Sequence, residues 1–87
     1  MPVIWIPALL RDLTDGQEQV EVPGTTLRQA LDELTTLYPE LRTRLVDDDR
    51  LRSDFSVIVD GTASYLKLRQ PLSENSEVHL LHAISGG

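Results

Sequence analysis

The sequence predicts an α+β domain: a mixed sheet of four to five strands with one main helix packed across one face. Three observations predict it. Short β-branched or aromatic runs stand near both ends and in the second half of the chain, at "VIWI", "FSVIVD" and "EVHLLHAI"; such residues suit a pleated, half-buried surface. One stretch, "TTLRQALDELTTLYP", repeats its apolar residues at helical spacing. Two Asp-Gly pairs, at Asp15-Gly16 and Asp60-Gly61, punctuate the strands, and glycine accepts the positive φ that tight hairpins need.

Taken in order, residues 3–6 form the first strand, closed by Pro7, with Ile4 and Ile6 on one face and Val3 and Trp5 on the other. "ALLRDLTDGQ" turns the chain through a hairpin-type Asp15-Gly16. "EQVEV" alternates charged and apolar residues, so residues 18–22 pair antiparallel with the first strand until Pro23-Gly24 stops them. Thr25 or Thr26 caps the helix, and Thr26 with Gln29 has capping-box spacing. Leu27, Ala30, Leu31, Leu34 and Tyr38 make one apolar stripe, and Pro39 ends it. "ELRTRLV" adds a short helical turn that tucks Leu41 and Leu45 under the core, and "DDDRLRSD" reads as a polar loop. Phe55, Val57 and Val59 share a face of the third strand. "ASYLKLRQPLSENS" holds one short edge strand around residues 65–68, then a loop pinned by Leu72. "EVHLLHAI" is the last strand. Two hairpin strands, a long helix and a final strand place the first and last strands side by side in parallel, with the intervening chain as the crossover. This is the β-grasp arrangement.

Composition bounds the function. Eighty-seven residues make one small domain. With no cysteine, a disulfide framework, a thiolate zinc site and a cysteine nucleophile are excluded, which fits a cytoplasmic location. A net charge of −6, with only eight Lys and Arg spread along the chain, argues against nucleic acid, whose phosphates need clustered cations. The apolar opening "MPVIWIPALL" lacks a basic start and is broken by Pro2 and Pro7. It is far shorter than the ~20 residues of a membrane span, so no membrane role is expected, and no secretion or lipidation signal is visible.

No catalytic set of the chain's own is visible: there is no nucleophile elbow and no phosphate-binding loop. His79 and His82 are three apart on a strand and point to opposite faces, which suits no shared metal. Asp47-Asp48-Asp49 lacks the alternating ligands and central glycine of a calcium loop and reads as a solvated acidic stretch. Trp5 has two readings. If Ile4 and Ile6 face the helix, then Trp5 joins His79 and Leu81 in a patch on the open sheet face, where aromatic anchors often mark partner docking. In the opposite register Trp5 is core. The first is favoured because Ile is the more often buried residue.

The chain closes on "AISGG". Two glycines at a given place arise by chance in about one chain in 200, and a frayed end is the plain alternative. Yet the pair follows an apolar strand with no polar spacer, and its carboxylate is the one chemically distinctive group present. Glycine leaves the acyl carbon uncrowded and lets the end thread a channel that a side chain would block. From Ile84 to Gly87 the extended reach is about 13 Å, enough to enter another protein's active site. A free carboxylate is a poor acyl donor until ATP converts it to an acyl-adenylate, after which a sulfur nucleophile yields a thiocarboxylate. The chain divides accordingly into a body, residues 1–83, and a flexible tail, residues 84–87.

The opening "VIWIP", the helix "TTLRQALDELTTLYPELRTRL" and the ending "PLSENSEVHLLHAISGG" together resemble the small ubiquitin-like sulfur carriers of the ThiS/MoaD family. The resemblance covers essentially the whole chain. Its most specific parts are Ala83-Ile84-Ser85-Gly86-Gly87, Pro71-Leu72 and Glu77-Val78. Where such proteins often carry an Asp-Gly turn before the Glu-Val pair, this chain has Asn75-Ser76; Asn tolerates left-handed φ, which keeps the turn. Ser85 stands where Ala is common and is still small. The resemblance implies a β-grasp fold and a stoichiometric carrier with no bound cofactor and no catalytic residue. An E1-like adenylating enzyme would use ATP to activate Gly87. Gly86 would supply the slim approach, and Ser85, Ile84 and Ala83 the segment read by the partner's channel. A sulfur-accepting synthase would then draw sulfur for molybdopterin, thiamine or cysteine. Two alternatives share the same tail: a ubiquitin-like modifier conjugated to lysine, and a non-reacting small subunit or interaction module.

Overall fold

A computed structural model describes residues 1–82. Strand β1 (Val3–Trp5) leads through a 3₁₀ turn (Ala8–Thr14) to β2 (Gln19–Glu21), and then to helix α1 (Leu27–Leu37). A second 3₁₀ turn (Pro39–Leu41) joins α2 (Arg42–Leu45), which runs into the short strands β3 (Val46–Asp47) and β4 (Arg50–Leu51). Then come β5 (Phe55–Val59), β6 (Thr62–Ala63), a third 3₁₀ turn (Lys67–Arg69) and β7 (Glu77–His82). The main sheet has five strands in the order β2-β1-β7-β5-β6, and β3-β4 form a separate ribbon. Strands β1 and β7 are parallel and every other pair is antiparallel, so the expected β-grasp topology is the observed one.

The core lies between the sheet and α1. Ile4, Val20, Val57, Val59, Val78 and Leu80 descend from the sheet onto Leu27, Ala30, Leu31 and Leu34 of the helix, all buried. Each fully buried aliphatic side chain contributes roughly 1.5–3 kcal/mol of transfer free energy. Leu41 and Leu45 are completely buried, as the short helical turn after Pro39 predicts. Along the helical stripe Tyr38 is only half-buried, and Thr35 is buried instead, because the helix stops at Leu37 and Tyr38 leaves helical φ and ψ. At the other end Thr26 caps α1 by accepting from the Gln29 amide at 3.3 Å. The Gln29 side-chain Oε1 reaches back not to Thr26 but one residue further, accepting from the Thr25 amide at 2.8 Å and the Thr25 hydroxyl at 3.0 Å.

Four local expectations are corrected. Asp15-Gly16 does take positive φ, 54° and 80°, but it closes the 3₁₀ turn, with the Gly16 amide donating to Arg11; it is not a tight two-residue hairpin turn between β1 and β2. The acidic stretch after α2 is a hairpin and not a plain polar loop. Asp48 and Asp49 both sit at positive φ, the backbone signature of a two-residue turn, and Leu51 turns into the core. The edge strand lies at Thr62–Ala63, directly after the Asp60-Gly61 turn, and residues 65–68 instead enter the third 3₁₀ turn, where Lys67 adopts φ 53°. The turn before β7 is kept, but Asn75 is not left-handed. Ser76 holds the turn. Its amide donates to the Ser73 carbonyl at 3.2 Å, and its buried hydroxyl accepts from the Ser73 amide at 2.8 Å and donates to Asp60 at 3.1 Å.

Candidate functional site

Strand β7 carries the C-terminal segment, and it lies in the middle of the sheet between β1 and β5. Its first residues pair on both sides: Glu77, Val78 and His79 face Val3, Ile4 and Trp5 on β1, while Val78 and His79 face Val59 and Ile58 on β5. Strand β1 ends at Trp5, shortly before Pro7, whose missing amide cannot extend a ladder. Strand β7 continues, and its last two residues, Leu81 and His82, pair with Ser56 and Phe55 of β5. The expected body-to-tail boundary at residues 83 and 84, and the tail residues Ala83, Ile84, Ser85, Gly86 and Gly87, lie outside the described residues.

The strand is anchored firmly at both ends. At its start the Glu77 amide donates to Asp60 at 2.9 Å, and the Asp60 amide donates to the Glu77 carbonyl at 3.0 Å. At its end His82 packs edge-on against Phe55, ring centroids 5.0 Å apart, with Nε2 3.3 Å from the Asp54 carboxylate. Arg52 Nε donates to the same carboxylate at 3.2 Å. Desolvation pulls the Asp54 carboxyl upward. Hydrogen bonds from Arg52 and its own backbone, the Arg52 charge and the His82 contact outweigh that pull and hold it below the usual carboxylate range.

The outward face of the sheet bears one continuous rung. Gln19, Trp5, His79, Ile58 and Ala63 are successive register partners across all five strands. The Trp5 and His79 rings are stacked, 5.3 Å apart and 5° from parallel, and Trp5 Nε1 donates to Glu77 at 3.1 Å. Trp5 is half-buried, while Ile4 and Ile6 fill the core. Of the two registers weighed from sequence, the outward Trp5 is the observed one. Leu81 is 46% exposed one rung further along, beside a cavity of ≈350 Å³ that Ser56, Ile58, Ala63 and Tyr65 also line. Trp5, His79 and Leu81 are therefore brought to one face. Ile58 and Glu77 belong to it as well and were not singled out from sequence. The alternation in "FSVIV" turns Ile58 outward, but placing it beside His79 requires knowing that β5 and β7 are neighbours.

His82 sits on the other side of β7 from His79, with its partners on β5 and the segment before it. Among the described residues, no group of three or more His, Cys, Asp or Glu side chains is placed to hold a metal ion. Asp49 of the acidic stretch pairs with Arg28 at 2.9 Å. No helix among the described residues is long and apolar enough to cross a membrane.

A five-stranded β-grasp sheet with one main helix packed across it is the ubiquitin-like fold. The sequence profile of the ThiS family matches residues 4–87, and the chain belongs to that family of ubiquitin-like sulfur carriers. No curated protein sequence matches the chain. Among solved structures, the chain is similar to a chain of the Amycolatopsis orientalis BexX/CysO complex, at 25% identity and TM-score 0.92 over 100% of both chains. It is also similar to Mycobacterium tuberculosis CysO, at 25% identity and TM-score 0.87 over 97% of this chain and 100% of that one. SAMP1 from Haloferax volcanii follows at 29% identity and TM-score 0.78, covering 99% and 98%.

Proposed function

We propose that this chain is a stoichiometric sulfur carrier and not itself a catalyst. The Gly87 carboxylate attacks the α-phosphate of ATP on an E1-like enzyme, releasing pyrophosphate and giving an acyl-adenylate. Sulfide, or a persulfide with a reductant, then attacks the acyl carbon, AMP leaves, and a thiocarboxylate remains. A synthase takes that sulfur for molybdopterin, thiamine or cysteine. The observation that carries this reading is the family match running through Gly87, on a chain whose central strand leads into the tail. Gly86, Ser85, Ile84 and Ala83 form the segment that the partner's channel reads. The outward rung of Trp5, His79 and Ile58, with Leu81, is the docking face, supported by its aromatic stack and its place on the uncovered side of β7. That the A. orientalis structure is a complex supports partner docking by carriers of this shape.

A second reading, conjugation to a lysine amine, is favoured by the likeness to SAMP1, the small archaeal modifier protein 1 of Haloferax volcanii. Both fates begin with the adenylate. Intact-protein mass spectrometry on the chain recovered from cells separates them. A carrier shows the mass gain of one oxygen replaced by sulfur. A modifier shows lysine-linked adducts and no such species, and that outcome would replace the first reading. Neither sulfur exchange nor adduct would leave the non-reacting subunit.

A further inference from the structure

Four of the chain's eight Lys and Arg residues line one groove: Arg28 on α1, Arg50 on β4, and Lys67 and Arg69 on the third 3₁₀ turn. Asp49 also lines it, and its carboxylate and carbonyl both accept from the Arg28 guanidinium, at 2.9 and 3.2 Å. The lining thus carries a net +3 on a chain of −6, and the remainder of the chain sums to −9. Such segregation is not a solubility pattern, which intersperses the two signs. Among the described residues, Arg50, Lys67 and Arg69 form no ion pair. Like charges gathered in this way repel one another unless an anion lies between them.

The groove has an apolar component as well. Its volume is ≈310 Å³, its base includes the buried Leu51 and Leu68, and Leu66 at its rim is 46% exposed. Lys67 stands at φ 53°, one of five non-glycine residues in left-handed turns among the described residues. A free phosphate would engage the cations and leave the leucines uncovered. A second copy of the chain, itself at −6, is repelled at long range. An acidic segment with an apolar side chain, set on a partner of small or positive net charge, satisfies both components without that repulsion. We propose that this groove docks such a segment of a partner protein, its carboxylates on Arg50, Lys67 and Arg69 and its apolar side chain on Leu66. The proposal does not rest on the chemistry of the tail, so its failure leaves the sulfur-carrier reading untouched.

The test uses the full chain and a fluorescein-labelled peptide of the pattern Glu-Asp-Leu-Glu-Asp, followed by fluorescence anisotropy. Saturable binding is expected. It should weaken about tenfold in Arg50→Glu/Lys67→Glu, as expected when two screened surface pairs are lost and reversed. It should also weaken when serine replaces the peptide's leucine. Arg42→Glu/Arg44→Glu on α2 carries the same change in net charge and should bind as the parent does. Circular dichroism checks the fold of each variant, and Lys67→Gln, expected to bind severalfold more weakly, serves if the charge reversal prevents folding. Equal weakening by both double variants, or none by either, would overturn the proposal. So would displacement of the peptide by an equal concentration of inorganic phosphate. Concentration-dependent dimerisation in sedimentation, lost in the groove variant, would assign the groove to a second copy instead.

Discussion

Trp5 reinforces the pairing of β1 with β7 through its side chain: its ring stacks on His79 and its indole N–H donates to Glu77. Because the ring is half-exposed, its loss affects stability less than a core truncation does. Trp5→Ala is expected to cost roughly 1 kcal/mol in chemical denaturation, while the rate of tail adenylation by a cognate E1-like enzyme falls about tenfold, as for a docking anchor. An unchanged rate would remove Trp5 from the docking face. The Asp54 carboxyl is held below its ordinary value of 3.8, so it stabilises the fold fully above that pH and progressively less as the pH falls through its lower folded value. Asp54→Asn should therefore unfold more easily than the parent at neutral pH, and the two should converge in acid; a gap in urea midpoints that persisted in acid would contradict this. Trp5 and His79 were legible as neighbours because alternation along each strand and parallel pairing of the first and last strands fix both faces. Asp54 with His82 was not, since their meeting depends on where β5 begins relative to the end of β7.

At the scale of elements, the junction between β2 and α1 depends on Gly24. A Cβ there would lie 2.8 Å from the Ala30 amide nitrogen, a backbone atom of the helix that cannot swing aside. Gly24→Ala is expected to cost about 1–3 kcal/mol, read as a lower urea midpoint with the tail chemistry retained in the folded fraction; unchanged stability would mean that the helix can shift outward freely. The helix itself was legible because Leu27, Ala30, Leu31 and Leu34 repeat at its period and Thr26 marks its start. The β3-β4 hairpin was not, because its turn uses Asp48-Asp49 and lacks the glycine that usually signals positive φ. The edge strand stands at Thr62–Ala63 and not at residues 65–68 for a related reason. Tyr65 and Leu66 look suited to a strand, but Asp60-Gly61 had already returned the chain at Thr62, and left-handed Lys67 prevents a second extended run.

For the whole molecule, fold and chemistry are encoded separately. The fold follows from apolar periodicity, which is why topology could be read without a relative. The proposed chemistry follows from what glycine lacks, a side chain on the carbon next to the acyl group, and no packing pattern announces it. The net charge of −6 adds a long-range term: if a basic surface on the adenylating enzyme steers the carrier, raising the salt concentration lowers the adenylation rate, and a salt-independent rate would dismiss steering.

The most direct test is the intact mass of the chain after incubation with ATP, sulfide and a cognate E1-like enzyme, beside a variant with one extra residue after Gly87. The account predicts exchange of one terminal oxygen for sulfur in the parent and none in the extended, still-folded variant. An unchanged parent, or the same product from both, would contradict it.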